Sequence, residues 1–160
     1  MISGSLTAMV TPFKDGKVDA DAYQAFVDWQ ITMGTNGLVP CGTTGEASTL
    51  TRKEHVHVVE LCVQAAAGRV PVIAGIGSNN TDTAIHTAIA VQEAGVDGVL
   101  AVAPYYNKPS QAGLYAHFEA VANAIDTNIV LYNIPGRSIV DIDLETMGRL
   151  SEIKNIITTF

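Results

Sequence analysis

The side chains able to do chemistry gather in a few short segments of this 160-residue chain. They are Thr11-Pro12-Phe13, Gly42-Thr43-Thr44-Gly45-Glu46, Gly75-Ile76-Gly77-Ser78-Asn79, Pro104-Tyr105-Tyr106-Asn107 and Asn133-Ile134-Pro135-Gly136-Arg137. In the second segment, the glycines let the backbone bend and bring N–H groups close to a ligand, and Thr43 and Thr44 add hydroxyl donors. That set suits a small carboxylate or phosphate; an ordinary tight turn with satisfied hydroxyls accounts for the same residues equally well. Tyr105, Tyr106 and Tyr132 carry phenols that can donate, accept or relay a proton. A lone tyrosine is more often a core residue with a wet tip, and three near one face shift the balance towards a site. Arg137 can fork onto a carboxylate, although a single arginine is more commonly solvated or paired with a nearby acid.

Other residues point away from several kinds of chemistry. Gly75-Ile76-Gly77 hints at anion binding by backbone amides but does not complete a dinucleotide fingerprint. His55, His57, His86 and His117 fall within expected helices without metal-ligand spacing, so no metal and no cofactor are expected. Cys41 has no histidine base in its loop and reads as a small packed residue. Cys41 and Cys62 form neither a disulfide framework nor a zinc pattern. None of the lysines sits convincingly in the desolvated or electropositive setting a Schiff-base amine needs. Lys14 and Lys17 lie in a charged turn, Lys53 opens a helix, Lys108 follows the tyrosines, and Lys154 precedes the last strand at the end away from the chemistry.

These segments need elements to position them. Short apolar runs at Leu6–Val10, Leu38–Pro40, Val70–Ala74, Val99–Val102, Ile129–Tyr132 and Ile156–Ile157 predict strands covered on both faces, which are usually parallel. Helical spacing joins Tyr23, Phe26, Val27 and Ile31, and again Leu114, Phe118, Val121 and Ile125. Thr51 and Glu54 form a capping box, Ser110 and Asp143 are expected N-caps, and Gly34, Gly68 and Gly95 close helices. The unit recurs about every 30 residues, the size of a βα repeat. Helix-to-strand connections are plain turns, whereas the chemically rich segments all leave strands. In parallel α/β architectures that is the ligand-binding face.

Composition agrees. Hydrophobic residues make up 48% and charged residues 16%, against about 25% charged in typical globular chains. The net charge of −7, without a basic stripe, argues against nucleic acid or an anionic membrane as partner. No apolar run approaches the roughly 18 residues of a membrane span, and the N-terminus lacks a signal peptide's pattern. A cytoplasmic protein is expected, with residues 1–160 forming a single domain.

Gly42-Thr43-Thr44-Gly45-Glu46, Tyr105-Tyr106-Asn107-Lys108-Pro109 and Tyr132-Asn133-Ile134-Pro135-Gly136-Arg137 closely resemble the dihydrodipicolinate synthase family, and Gly4-Ser5-Leu6 through Thr11-Pro12-Phe13 is similar as well. The resemblance runs from about residue 2 to Ile157. It implies an α/β fold, a partial (β/α)8 TIM barrel of about five βα units plus a sixth strand. It implies condensation of pyruvate with aspartate semialdehyde through a lysine Schiff base, on the lysine biosynthesis pathway. In that reading Thr43, Tyr132 and Tyr106, the last reaching in from a neighbouring subunit, form a proton relay. Backbone amides at Thr43 and Thr44 hold the pyruvate carboxylate, and Arg137 steadies the site and meets the second substrate. Ser48, His55, Asn79 and Tyr105 fall where lysine inhibits some members, while Arg52 and Thr83 depart from the commonest pattern there.

A further departure falls at Phe160. The family's sixth strand leads from Asn-Ile-Ile into Gly-Ile-Lys, whose lysine is the nucleophile. Here Asn155-Ile156-Ile157 leads into Thr158-Thr159-Phe160, which puts Phe160 at the nucleophile's position. The expectation is a barrel truncated after its sixth strand and inactive as a single chain, or alternatively a non-catalytic folded remnant acting as a binding or oligomeric interaction module. A barrel of this type usually takes about 250 residues. Cutting it leaves strand edges and core surface open, so a homo-oligomer is expected.

Overall fold

The computed structural model describes residues 2–159, so the reading of Phe160 lies outside the described residues. The chain divides into two compact units. The first runs through Gly75 and includes Ala90–Gly98; the second comprises Ile76–Ile89 and Val99 onward.

In the first unit, β1 (Leu6–Ala8) leads into a hairpin of β2 (Phe13–Lys14) and β3 (Lys17–Val18), followed by α1 (Ala20–Thr32), β4 (Gly37–Val39), α2 (Arg52–Ala66) and β5 (Ile73–Gly75). β1 and β4 are parallel, with Leu6 opposite Gly37 and Ala8 opposite Val39. Leu38 also bridges to Val72 in parallel sense. The hairpin turns at Asp15 and Gly16, both left-handed (φ +52° and +74°), the combination a two-residue turn between twisted strands requires. Lys14 and Lys17 therefore flank the turn as paired strand residues.

Local sequence sets the helix starts. Asp19 accepts from the Ala22 amide at 3.0 Å and opens α1. At α2 the expected capping box forms: the Thr51 amide donates to Glu54 Oε2 at 2.8 Å and the Glu54 amide to Thr51 Oγ1 at 3.3 Å. α1 packs on α2, and Tyr23, Val27, Val58, Val59 and Cys62 are fully buried. Phe26 and Ile31, expected on the same face, are only half-buried. Phe26 instead stacks on the exposed Trp29, with ring centroids 5.9 Å apart.

α3 (Thr81–Glu93) gives its first turns to the second unit, which continues with β6 (Gly98–Val102), α4 (Gln111–Ala124), β7 (Asn128–Tyr132), α5 (Pro135–Ser138), α6 (Leu144–Leu150) and β8 (Ile156–Thr159). The strands lie in the order β6-β7-β8. β7 and β8 are parallel, with a register shift after Ile129. Ser110 and Asp143 cap α4 and α6 as expected, accepting from Gly113 and Thr146 amides. Leu114, Phe118 and Val121 turn inward on α4, and Ile125, the extended residue just past its end, is buried with them. α4 packs on α6, where the Arg149 guanidinium lies 4.2 Å above the Tyr115 ring.

Three expectations need correction. Val70 and Pro71 lie before the strand, which begins at Ile73 and ends at Gly75; Pro71 has no amide to give a ladder. The residues after Ile134 are not open loop but the short helix α5, with Pro135 at its first turn, where a missing N–H costs nothing. Finally, burial on both faces holds for β4 and β5 but not for β1 or β8. Ala8, Ile157, Thr158 and Thr159 are exposed. Among the described residues β1 pairs with β4 alone, and β8 with β7 alone.

Candidate functional site

The segment after β4 is a continuous run of turns. Cys41 and Glu46 bracket it in left-handed conformation (φ +54° and +57°), which non-glycine residues keep only when the surroundings hold them. The Gly45 amide donates to Gly42 O at 3.1 Å, the Ala47 amide to the same oxygen at 3.3 Å, and the Glu46 amide to Thr43 O at 3.1 Å. Among the described residues, the amides of Thr43 and Thr44 donate to no protein acceptor. Both threonines are exposed, and Ser48 lies exposed in the same run. Two adjacent unspent N–H groups in a tight turn are what an anion needs.

Gly75, the last residue of β5, anchors the root of this loop. Its amide donates to Pro40 O at 2.9 Å, and its carbonyl accepts from His55 Nε2 at 2.8 Å. Its Cα face meets the Cys41 carbonyl directly. His55 is thus a buried bracket. Cys41 is 2% exposed, and burial, reinforced by the neighbouring Cys62 sulfur, pushes its thiol up to about 12. At ordinary pH it is a neutral packed group, in keeping with its sequence reading.

In the second unit, Tyr105 is half-buried and Tyr106 is 82% exposed in the loop that leaves β6. Tyr106 and Lys108 are both left-handed (φ +72° and +50°). Between them, Asn107 Nδ2 donates to Asn79 O at 2.7 Å, tying this loop to the one that follows Ile76. Tyr105 and Asn79 are thereby brought into one loop cluster. Tyr132 ends β7, half-buried; among the described residues no hydrogen bond joins it to Tyr106. Arg137 is exposed on α5. The segment beyond it is held by side chains that sequence reasoning missed. Asn133 Nδ2 donates to Asp141 Oδ1 at 2.6 Å while Asn133 Oδ1 accepts from the Ile142 amide at 3.2 Å. Gln111 Nε2 donates to Asp141 O at 2.8 Å. An Asn directly after a strand and an Asp eight residues on carry little sequence signal, because their pairing depends on how α5 turns the chain.

All five lysines, Lys14, Lys17, Lys53, Lys108 and Lys154, are exposed. Among the described residues, no helix is long and apolar enough to cross a membrane.

Two buried imidazoles make stability pH-dependent. His55 is held below its ordinary range by desolvation, partly offset by its bond to Gly75. His117, which shares a 2.8 Å hydrogen bond with Thr81 Oγ1, is lowered by desolvation. The unfolded chain therefore binds more protons at these sites. Their contribution is fully present above the unfolded value of about 6.5 and is lost as pH falls below it. Urea midpoints are expected to fall between pH 7.5 and 5.5, above the range where carboxylates titrate. A midpoint that stays flat or rises over that interval contradicts the assignment.

Parallel strand pairs joined through helices, β1 with β4 in one unit and β7 with β8 in the other, place the molecule among α/β proteins. The chain belongs to the dihydrodipicolinate synthetase family, whose model matches residues 1–159. It is 60% identical over 157 residues to the 4-hydroxy-tetrahydrodipicolinate synthase of Parvibaculum lavamentivorans, covering 98% of this chain and 54% of that protein. The synthase of Methylacidiphilum fumariolicum SolV superposes with a TM-score of 0.98 at 45% identity, covering 99% of this chain and 53% of that one. A chloride-inhibited synthase from Acinetobacter baumannii, solved in complex with pyruvate, matches with a TM-score of 0.97 at 48% identity, over 99% of this chain and 55% of that one. The chain thus spans about half the length of these relatives. Its α/β architecture and partial sheet correspond to part of their barrel.

Proposed function

We propose that this chain, a single partial TIM-barrel domain over residues 1–160, carries the carboxylate-holding and proton-relay portion of a dihydrodipicolinate synthase site. In this reading it is a cytoplasmic protein whose substrates are pyruvate and aspartate semialdehyde. The Thr43 and Thr44 amides receive the pyruvate carboxylate, and Thr43, Tyr132 and a partner subunit's copy of Tyr106 pass the proton. Arg137 meets the second substrate. Ser48, His55, Asn79 and Tyr105 are the positions that correspond to where lysine acts in some members. The observation that carries the reading is the pair of unspent amides at Thr43 and Thr44 in a loop locked at both ends. The relative solved with pyruvate supports the choice of ligand.

In this reading Phe160, whose side chain has no nitrogen, takes the imine-forming position in the sequence, while the five lysines are solvated. By itself the chain therefore holds pyruvate without forming the imine that condensation requires. Incubation with pyruvate, reduction with borohydride and intact-mass analysis are expected to give no adduct. An adduct confined to one lysine overturns this reading.

A second reading, an oligomeric interaction module, draws on β1 and β8 each having one strand neighbour among the described residues. Their free backbone edges favour pairing between copies. Such a module needs no affinity for pyruvate, which separates it from the first.

A further inference from the structure

We propose that Thr11 is the positioning residue of the anion-receiving loop, holding it in shape by donating its hydroxyl to the Gly45 carbonyl. The inference rests on the proposed role of that loop as a carboxylate cradle. Thr11 is 6% exposed, and its Oγ1 lies 2.8 Å from Gly45 O across 34 residues of sequence. The Met9 amide donates to Val39 O at 3.0 Å, which brings the Met9–Thr11 stretch alongside the loop's root. Gly45 fits tightly there: a Cβ on it would stand 2.9 Å from Met9 O and 3.1 Å from the Cys41 amide nitrogen.

The loop's own hydrogen bonds hold the Gly45–Glu46 peptide on its amide side, through Glu46 to Thr43 O, and leave the Gly45 carbonyl to a group from outside the loop. Two of them end on Gly42 O and one on Thr43 O, and the Thr49 amide and hydroxyl both donate to Glu46 O at 2.9 Å, on the far side of Glu46 from that carbonyl. Among the described residues, Thr11 is the group from another element that donates to Gly45 O. That carbonyl immediately precedes Glu46, whose left-handed backbone (φ +57°) is a conformation the residue leaves unless held. Releasing the carbonyl lets Glu46 relax. The Glu46-to-Thr43 and Ala47-to-Gly42 bonds then open, and the Thr43 and Thr44 amides lose their shared direction.

The test compares the intact chain with Thr11→Val, which keeps the shape and removes the donor, and Thr11→Ser, which keeps the donor. Amide hydrogen exchange reads the tie without any ligand. Thr11→Val is expected to lose protection at Glu46 and Ala47 while amides within α2 keep theirs, and Thr11→Ser is expected to retain it. Pyruvate titration, followed at the Thr43 and Thr44 amides by NMR, reads the consequence. Affinity is expected to weaken about tenfold in Thr11→Val, the size of one hydrogen bond, and to return to within about twofold in Thr11→Ser. Unchanged protection at Glu46 and Ala47 in Thr11→Val overturns the tie, as does unchanged pyruvate affinity. If the unaltered chain shows no pyruvate response, the cradle reading fails, and exchange alone decides the role of Thr11. Should Thr11→Val not fold, the hydroxyl proton of Thr11 in the unaltered chain decides. Slow exchange supports the tie, and exchange at the rate of a solvated hydroxyl overturns it.

Discussion

Gly75→Ala is expected to lower the unfolding free energy by about 3 kcal/mol, the upper part of the usual range for overpacking. Gly75 does not have a positive φ, so the cost is steric rather than conformational. Three constraints meet at this residue: its amide bonds Pro40 O, its carbonyl accepts from His55 Nε2, and its Cα face lies on the Cys41 carbonyl. An added methyl is driven into that carbonyl oxygen and stands 3.0 Å from the Gly42 amide nitrogen. These are backbone atoms, and no side-chain rotation relieves the contact. Either β5 retreats and gives up the bonds to Pro40 and His55, or the Cys41–Gly42 peptide moves and carries Thr43 and Thr44 with it. Urea unfolding measures the loss, and a change under about 0.5 kcal/mol would show that the strand end yields freely. Exchange at the loop amides distinguishes which side moved.

Phe118→Ala is expected to be costlier still, about 4 kcal/mol for a fully buried ring. Phe118 is 0% exposed on α4 and meets the His117 ring edge-on, with centroids 5.2 Å apart and planes at 76°. Leu114 and Val121 flank it on the same face and are buried as deeply. Truncation loses the transfer energy of the ring and leaves a cavity that these neighbours do not fill, since helical backbone holds them in place. The corresponding fall in melting temperature is roughly 10 °C. A fall smaller than about 2 °C would mean that the second unit collapses around the gap. His117 then also gains solvent, and its imidazole should titrate closer to its ordinary range.

The elements that were legible in the sequence share one property: their signals are local. Thr51 and Glu54 form a capping box wherever three residues turn into a helix, and Ser110 and Asp143 cap for the same reason. The inward face of α4 follows from spacing alone. α1 was legible only in part. Tyr23 and Val27 are buried, but Phe26 and Ile31 are half-buried, because what covers a stripe is set by neighbours outside it. The start of β5 is not legible in the same way, because an apolar run from Val70 does not show that regular pairing begins only at Ile73, after a lone bridge at Val72.

The candidate site divides in the same way. The Gly42–Glu46 motif was visible as a loop able to receive an anion, because glycines and paired threonines after a strand carry that meaning themselves. Which amides remain unspent was not visible, since it depends on Gly42 O and Thr43 O claiming the other three donors. Thr11 stood in a chemically rich segment without a role until its hydroxyl met a carbonyl 34 residues away. His55 reads in the sequence as a helix histidine, and the fold makes it a bracket for Gly75.

By itself, the sequence determined the α/β class, the family and the residues of its motifs. Each of these is written in residue type and short-range spacing. Only the tertiary structure decided which groups in those motifs are free to bind and which are consumed in holding the loops. Hydrogen-bond partners brought together across dozens of residues are products of packing, and no local signal encodes them.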